Sequence, residues 1–316
     1  MKIQRCNNED AKKDRFSDLS DCVLLVILSI LDIKEAVQTC ILSTRWKNLW
    51  KQLPILSLNS RHFKTPGGFT KFVSRFLSLR DKKTELHTLN LFHREGIIQS
   101  RLLKRIFKYA VSHNIQQLDI SAACYIEHFS LCHISCQTLM SLNISANIEI
   151  GRQRPIFPNS LYLPALTSLC LKFFAFRASG NDGRAEPFSS FNNLNTLTIH
   201  SFEILPDQNL FISSATLVNL TIETFDDDYC KFELSTPSLC NFKFKGKPVR
   251  KLSGSNRNLS SIKDVSIDIP TWSIDENYPA VLLNWLSELV NMESLTVSVL
   301  IYQPGLLYQT IWLENY

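Results

Sequence analysis

One pattern recurs along most of this chain: an apolar residue, two residues, an apolar residue, one residue, an apolar residue. It is first seen at Leu53/Leu56/Leu58. Clear copies stand at Leu86/Leu89/Leu91, Ile115/Leu118/Ile120, Leu139/Leu142/Ile144, Leu166/Leu169/Leu171, Leu194/Leu197/Ile199 and Leu217/Leu220/Ile222. Weaker ones follow at Leu239/Phe242/Phe244, Ile262/Val265/Ile267 and Met292/Leu295/Val297. From Leu89 to Leu295 the central residues are 22 to 30 positions apart. Each triad spells a short strand whose alternate residues point inward, and one such strand cannot bury its apolar face alone. The copies must therefore stack side by side as a parallel sheet.

The spacing is close to the 20 to 29 residues of leucine-rich repeats. It predicts an irregular solenoid over residues 53–316, of about nine or ten repeats, with the parallel sheet on its concave face. Helices are expected behind the sheet at Arg101–Ser112 and Ala280–Val290, and the longest solvated loop near Arg177–Glu186. The middle strand positions read Asn90, Asp119, Asn143, Cys170, Thr198, Thr221, Lys243, Ser266 and Thr296. Small, polar and largely uncharged, they suit a broad protein or peptide ligand more than a deep small-molecule pocket. Asn90, Asp119, Asn143, Thr198, Thr221, Lys243 and Lys245 are the candidate substrate-binding residues; simple wetness of a sheet surface accounts equally well for any one of them. Glu223 and Asp268 flank Lys243 and Lys245, and Lys247, Arg250 and Lys251 follow, so this cluster reads either as a solvated turn or as a site for an acidic peptide or phosphate. The apolar tail, Leu306 to Leu313, either folds back to cover the last repeat or marks a chain cut short.

Ahead of the repeats lies a helical block, Ser17 to Trp50. Val23, Leu24, Ile27, Leu28 and Leu31 fall on one helical face, which Leu25, Val26 and Ile30 extend most of the way round. Ser17 or Ser20 can cap this helix, and Asp32 breaks it before a second, Lys34 to Cys40. Ser43 caps a third, Thr44 to Lys51, with Trp46 and Trp50. So short a bundle buries only a small core, and its remaining apolar surface is best explained as a face that docks another protein.

Asp14-Arg15, Leu19, Leu24, Ile27, Leu31, Lys34-Glu35-Ala36-Val37 and Leu42-Ser43-x-Arg45-Trp46-x-x-Leu49-Trp50 resemble the F-box of the plant F-box/leucine-rich-repeat family, including its F-box/FBD/LRR subgroup. The resemblance implies an α+β chain: a flexible lead at 1–13, a three-helix F-box at 14–52, and the leucine-rich solenoid at 53–316. It also implies docking onto the Skp-type adaptor of a cullin-based (SCF) ubiquitin ligase, with the solenoid choosing the substrate. Carried over position by position, Leu19, Ser20, Leu24, Ile27 and Leu31 are the expected adaptor contacts, while Trp46 holds the block together. The chain departs from the family at Ser20 and Asp32, where proline is common. A scaffold with a degenerate F-box outside any ligase is the alternative reading.

Chemistry of other kinds finds little footing. A charge of +5 spread over 316 residues argues against nucleic acid as a partner. The apolar run from Cys22 is too short to cross a bilayer, and the polar start is not a signal peptide. Nine scattered cysteines fit reduced thiols in cytoplasm or nucleus. No phosphate loop, nucleophile elbow or paired metal knuckle is present, so neither enzyme activity nor a cofactor is expected. His128, Cys132, His133 and Cys136 come nearest to a metal site but have no second knuckle.

Overall fold

The computed structural model describes residues 18–314 apart from 124–134, 147–152, 160, 179, 181, 206–207, 225–231, 247–252, 255–258, 272–277, 290 and 304–305. Helix α1 (Asp21–Ile30) and helix α2 (Ile33–Gln38) open it. Both begin at the residues that depart from the family pattern. The Ser20 hydroxyl accepts from the Val23 amide at 3.4 Å, and the Asp32 carboxylate from the Lys34 amide at 2.8 Å. A side-chain acceptor at the N-cap satisfies one of the orphan donors of a first turn. The third expected helix is not one: turns run to Asn48 and a 3₁₀ segment spans Leu49–Gln52. Tryptophan packing, not helix length, holds this part. Trp46 and Trp50 are buried, and Trp50 lies 5.3 Å from Phe76 of helix α3 (Pro66–Leu79). Arg45 then clasps the start of α1, pairing with Asp21 at 2.7 Å and donating to the Leu19 carbonyl.

The triads form a ladder of ten parallel strands in strict chain order, from Ile55–Asn59 to Ser294–Gln303, and Leu306–Glu314 returns antiparallel as an eleventh. Register is carried without a slip through the triad positions: Leu89 pairs Leu118, Leu118 pairs Leu142, and the series runs on to Val265 and Leu295. One face of the ladder is therefore apolar throughout, with Leu56, Leu89, Leu118, Leu142, Leu169, Leu197, Leu220, Phe242 and Val265 all buried. The other face bears the polar positions. Behind the apolar face lie α3, helix α4 (Ser100–Ser112) and helix α5 (Tyr278–Glu288). α4 and α5 coincide closely with the expected helices; α3 was not expected, although Thr65-Pro66 caps and starts it and Phe69, Val73, Phe76 and Leu77 share one face. Trp285 of α5 packs edge-on over Phe244 at 4.8 Å.

Between α4 and α5 the backing layer is a second, four-stranded parallel sheet of short strands, Arg184–Ala185, Asn209–Ser213, Phe232–Ser235 and Ser253–Gly254. Of the expected solvated loop at Arg177–Glu186, Arg177, Gly180 and Asp182 are exposed and outside any strand, while its end, Arg184–Ala185, is corrected to a strand of this sheet. Ala185 is buried in that sheet, while Arg184 stacks 3.9 Å over Phe211 and pairs with Glu233 at 3.1 Å.

One glycine is demanded by this stacking. Gly246 ends its strand at φ +148°, donates to the Asp268 carbonyl at 2.9 Å, and leaves room for no side chain, since a Cβ would sit 2.0 Å from Thr224 Oγ1 and 2.9 Å from its carbonyl oxygen. Gly246→Ala is expected to lower stability by about 2 kcal/mol in urea denaturation. Gly67→Ala, with nothing within 4 Å, should leave it unchanged or slightly raised.

Candidate functional site

Two surfaces stand apart from the rest. The first is on the N-terminal block. Leu24 and Leu28 turn fully into the core, which corrects the expectation that Leu24 offers its side chain to a partner. Leu19, Ile27 and Leu31 are half-buried and packed against that core, and Ser20 is exposed as the cap of α1. What faces outward is Val23, Val26 (61 % exposed) and Ile30 (80 %), at steps of three and four along one helical stripe, together with Ile41 (84 %) and Leu42 (65 %). Half of the ten large, exposed apolar side chains among the described residues thus fall within twenty positions. Lone exposed leucines are ordinary, but a stripe of this kind is a candidate docking surface. Sequence reasoning named Val23, Val26 and Ile30 on the apolar helix and Leu42 in the family motif without singling them out as contacts; nearly every position of α1 is apolar, so the pattern alone does not say which side is turned in.

The second surface is the polar face of the ladder. Parallel register sets its residues in three rows. The middle row holds Asn90, Asp119, Asn143, Cys170, Thr198, Thr221, Lys243, Ser266 and Thr296 in direct succession, so the predicted residues do share one face. Asn143 donates to Asp119 at 2.8 Å. The next row runs Lys172, His200, Glu223, Lys245, Asp268, Ser298. Anion and cation alternate over Glu223, Lys245 and Asp268, and Lys245 pairs with Glu223 at 2.7 Å while the Ser298 hydroxyl donates to Asp268. Lys243 lies 4.0 Å from Asp268. The lysines expected to attract an acidic ligand are thereby matched by carboxylates on neighbouring strands. Lys247, Arg250 and Lys251 lie outside the described residues.

His200 was missed, though the register that places Glu223 beside Lys245 places it on the same row. Its Nδ1 contacts the Glu223 carboxylate. Burial is the largest influence on the imidazole and lowers its pKa; Glu223 pulls the other way and Lys172 adds to the lowering. The ring is therefore neutral at pH 7 and donates its Nδ1 proton to Glu223. For Glu223, burial raises the pKa but is outweighed by the Lys245 hydrogen bond and by His200, and the net direction is down. Both shifts favour the folded state at higher pH. The unfolded chain takes up the His200 proton first, so stability should begin to fall as pH drops below about 6.5 and fall again below about 4.5 as Glu223 is protonated. Melting curves across pH check this, and His200→Gln should remove the upper step alone.

Of the sequence's nearest approach to a metal site, His128, Cys132 and His133 lie outside the described residues, and Cys136 is buried with its thiol toward the Ile115 carbonyl.

The segment that carries the exposed stripe lies within residues 16–58, which match the F-box domain family. The relatives are of the same kind. An F-box/FBD/LRR-repeat protein of Arabidopsis thaliana is 30% identical over 255 residues, covering 78% of this chain and 57% of that protein. An F-box/LRR-repeat protein of the same plant is 27% identical over 251 residues, 77% of this chain and 79% of the relative. A second F-box/FBD/LRR-repeat protein is 34% identical over 180 residues, 52% of this chain and 36% of the relative. The chain thus spans little more than half of the first of these and about a third of the last. The resemblance to the plant F-box/leucine-rich-repeat family is borne out.

Proposed function

We propose that this chain is a substrate-recognition subunit of an SCF-type cullin–RING ubiquitin ligase. In this reading residues 14–52 are the F-box and dock a Skp-type adaptor, while residues 53–316 are a leucine-rich-repeat solenoid whose concave wall is the polar face of the ladder. The chain performs no bond chemistry itself; by holding adaptor and substrate together it raises the substrate's effective concentration at the ligase. The observation that carries this is the outward apolar stripe of Val23, Val26, Ile30, Ile41 and Leu42 on the segment that matches the F-box. A degenerate-F-box scaffold is less favoured, because Ser20 and Asp32 cap α1 and α2 where weakened helices would be expected of it. The backbone at both positions, φ −68° and −59°, is also what proline would adopt.

Gel filtration of the chain with a Skp-type adaptor and a cullin tests the assembly. Co-elution of all three is expected. Elution of a folded chain apart from an intact adaptor–cullin pair would count against it.

A further inference from the structure

We propose that a cleft on the polar face takes a lysine or arginine side chain presented by an extended segment of the substrate protein. The inference rests on the reading of this face as the substrate-binding wall, and adds to it the charge of what is bound. The cleft has a volume of about 260 Å³ and lies over the last four parallel strands, lined among others by Asn219, Thr221, Asn241, Lys243, Asp264 and Thr296. That is below the ~300–1,000 Å³ of small-molecule sites, and suits one long side chain with the backbone beside it.

Its charge balance is what selects the ligand. Two lysines stand close, and both face carboxylates elsewhere: Lys243 is 4.0 Å from Asp268, and Lys263 is 2.8 Å from Glu293. The Asp264 carboxylate has no direct side-chain partner among the described residues and is exposed; Lys263 beside it in sequence acts on it only at longer range, its ammonium being paired with Glu293. The neighbouring amides are also directional. Asn241 donates to Asn219 Oδ1 at 2.6 Å, and Asn219 donates to Asn195 Oδ1 at 3.2 Å, each toward the preceding repeat. The chain of donors therefore runs away from Asp264 and leaves the Asn241 carbonyl oxygen as its open acceptor end. Asn241 and Asp264 are direct register partners. A carbonyl oxygen beside a carboxylate with no direct partner, and no side-chain donor committed to either, fits an ammonium or guanidinium group, which brings several N–H donors and the opposite charge. The Thr221 and Thr296 hydroxyls are placed to serve the backbone on either side.

Three fluorescein-labelled peptides test this on the full chain by anisotropy: Ser-Thr-Asn-Arg-Asn-Thr-Ser, and the same sequence with alanine or glutamate at the centre. The arginine peptide is expected to bind roughly tenfold more tightly than the alanine one, and the glutamate peptide most weakly. Asp264→Asn should abolish the arginine preference while leaving the melting temperature and adaptor binding unchanged. Charge-blind binding, or a preference for glutamate, overturns the cationic assignment while leaving the wall as a binding surface. Absence of binding by all three peptides to a folded chain overturns both.

Discussion

A chain carrying aspartate at both Val26 and Ile30 is expected to bind a Skp-type adaptor at least a hundredfold more weakly than the wild type, with its melting temperature unchanged. Each side chain is mostly in solvent in the isolated chain, at 61 % and 80 % exposure, so the exchange removes no core contact. In a docked complex both would be desolvated, and anchors of that kind cost about 2 kcal/mol or more each when lost, with every 1.4 kcal/mol a factor of ten. A buried, unpaired carboxylate adds to the loss. Leu24→Asp distinguishes docking from folding: Leu24 is fully buried, and its replacement should unfold the block rather than merely silence the surface. Calorimetric titration with a melting curve on each variant reads both effects. Full affinity in the double variant would mean that the stripe is not the docking face.

The largest loss of stability is expected at Arg80. It follows α3, is 3 % exposed, and lies where the N-terminal block, α3, α4 and the first strands meet. One guanidinium nitrogen donates to the Leu53 and Glu85 carbonyls at 2.6 and 2.9 Å, the other to the Thr84 carbonyl and the Tyr109 hydroxyl at 3.0 and 2.8 Å. Tyr109 in turn stacks on His113 at 3.9 Å. Arg80→Leu removes the donors shared by four acceptors, the Leu53 carbonyl buried and the other three partly so, at about 1–3 kcal/mol for a buried group left unsatisfied and less for a partly buried one. A total near 4 kcal/mol is expected from urea denaturation, a large part of the ~5–15 kcal/mol of an ordinary domain. Arg80→Lys should recover only a fraction, since one ammonium cannot span the fork. If the leucine variant came within 1 kcal/mol of the wild type, the clasp would be incidental to the join.

How much of this could be read beforehand follows from how local each feature is. The ladder was legible, because each triad declares its inward residues and the register then follows from matching triads, as the unbroken row from Leu56 to Leu295 records. The backing layer was not: strands of two residues such as Arg184–Ala185 and Ser253–Gly254 are too short to show an alternation, and only the stacking of their neighbours makes them strands. On the candidate surfaces, composition indicated a polar wall, but the pairings of Glu223 with Lys245 and of Lys263 with Glu293 depend on partners some twenty to thirty residues away in sequence. In the helical block, the break at Asp32 and the burial of Trp46 could be anticipated from residue type. The outward set of Val23, Val26 and Ile30 required knowing where the first strands lie.

The most direct test of the account is a calorimetric titration of the purified chain into a Skp-type adaptor. One-to-one binding with a micromolar or tighter dissociation constant, and a negative heat-capacity change from apolar burial, is the predicted result. A folded chain that gives no binding heat at any temperature would contradict it.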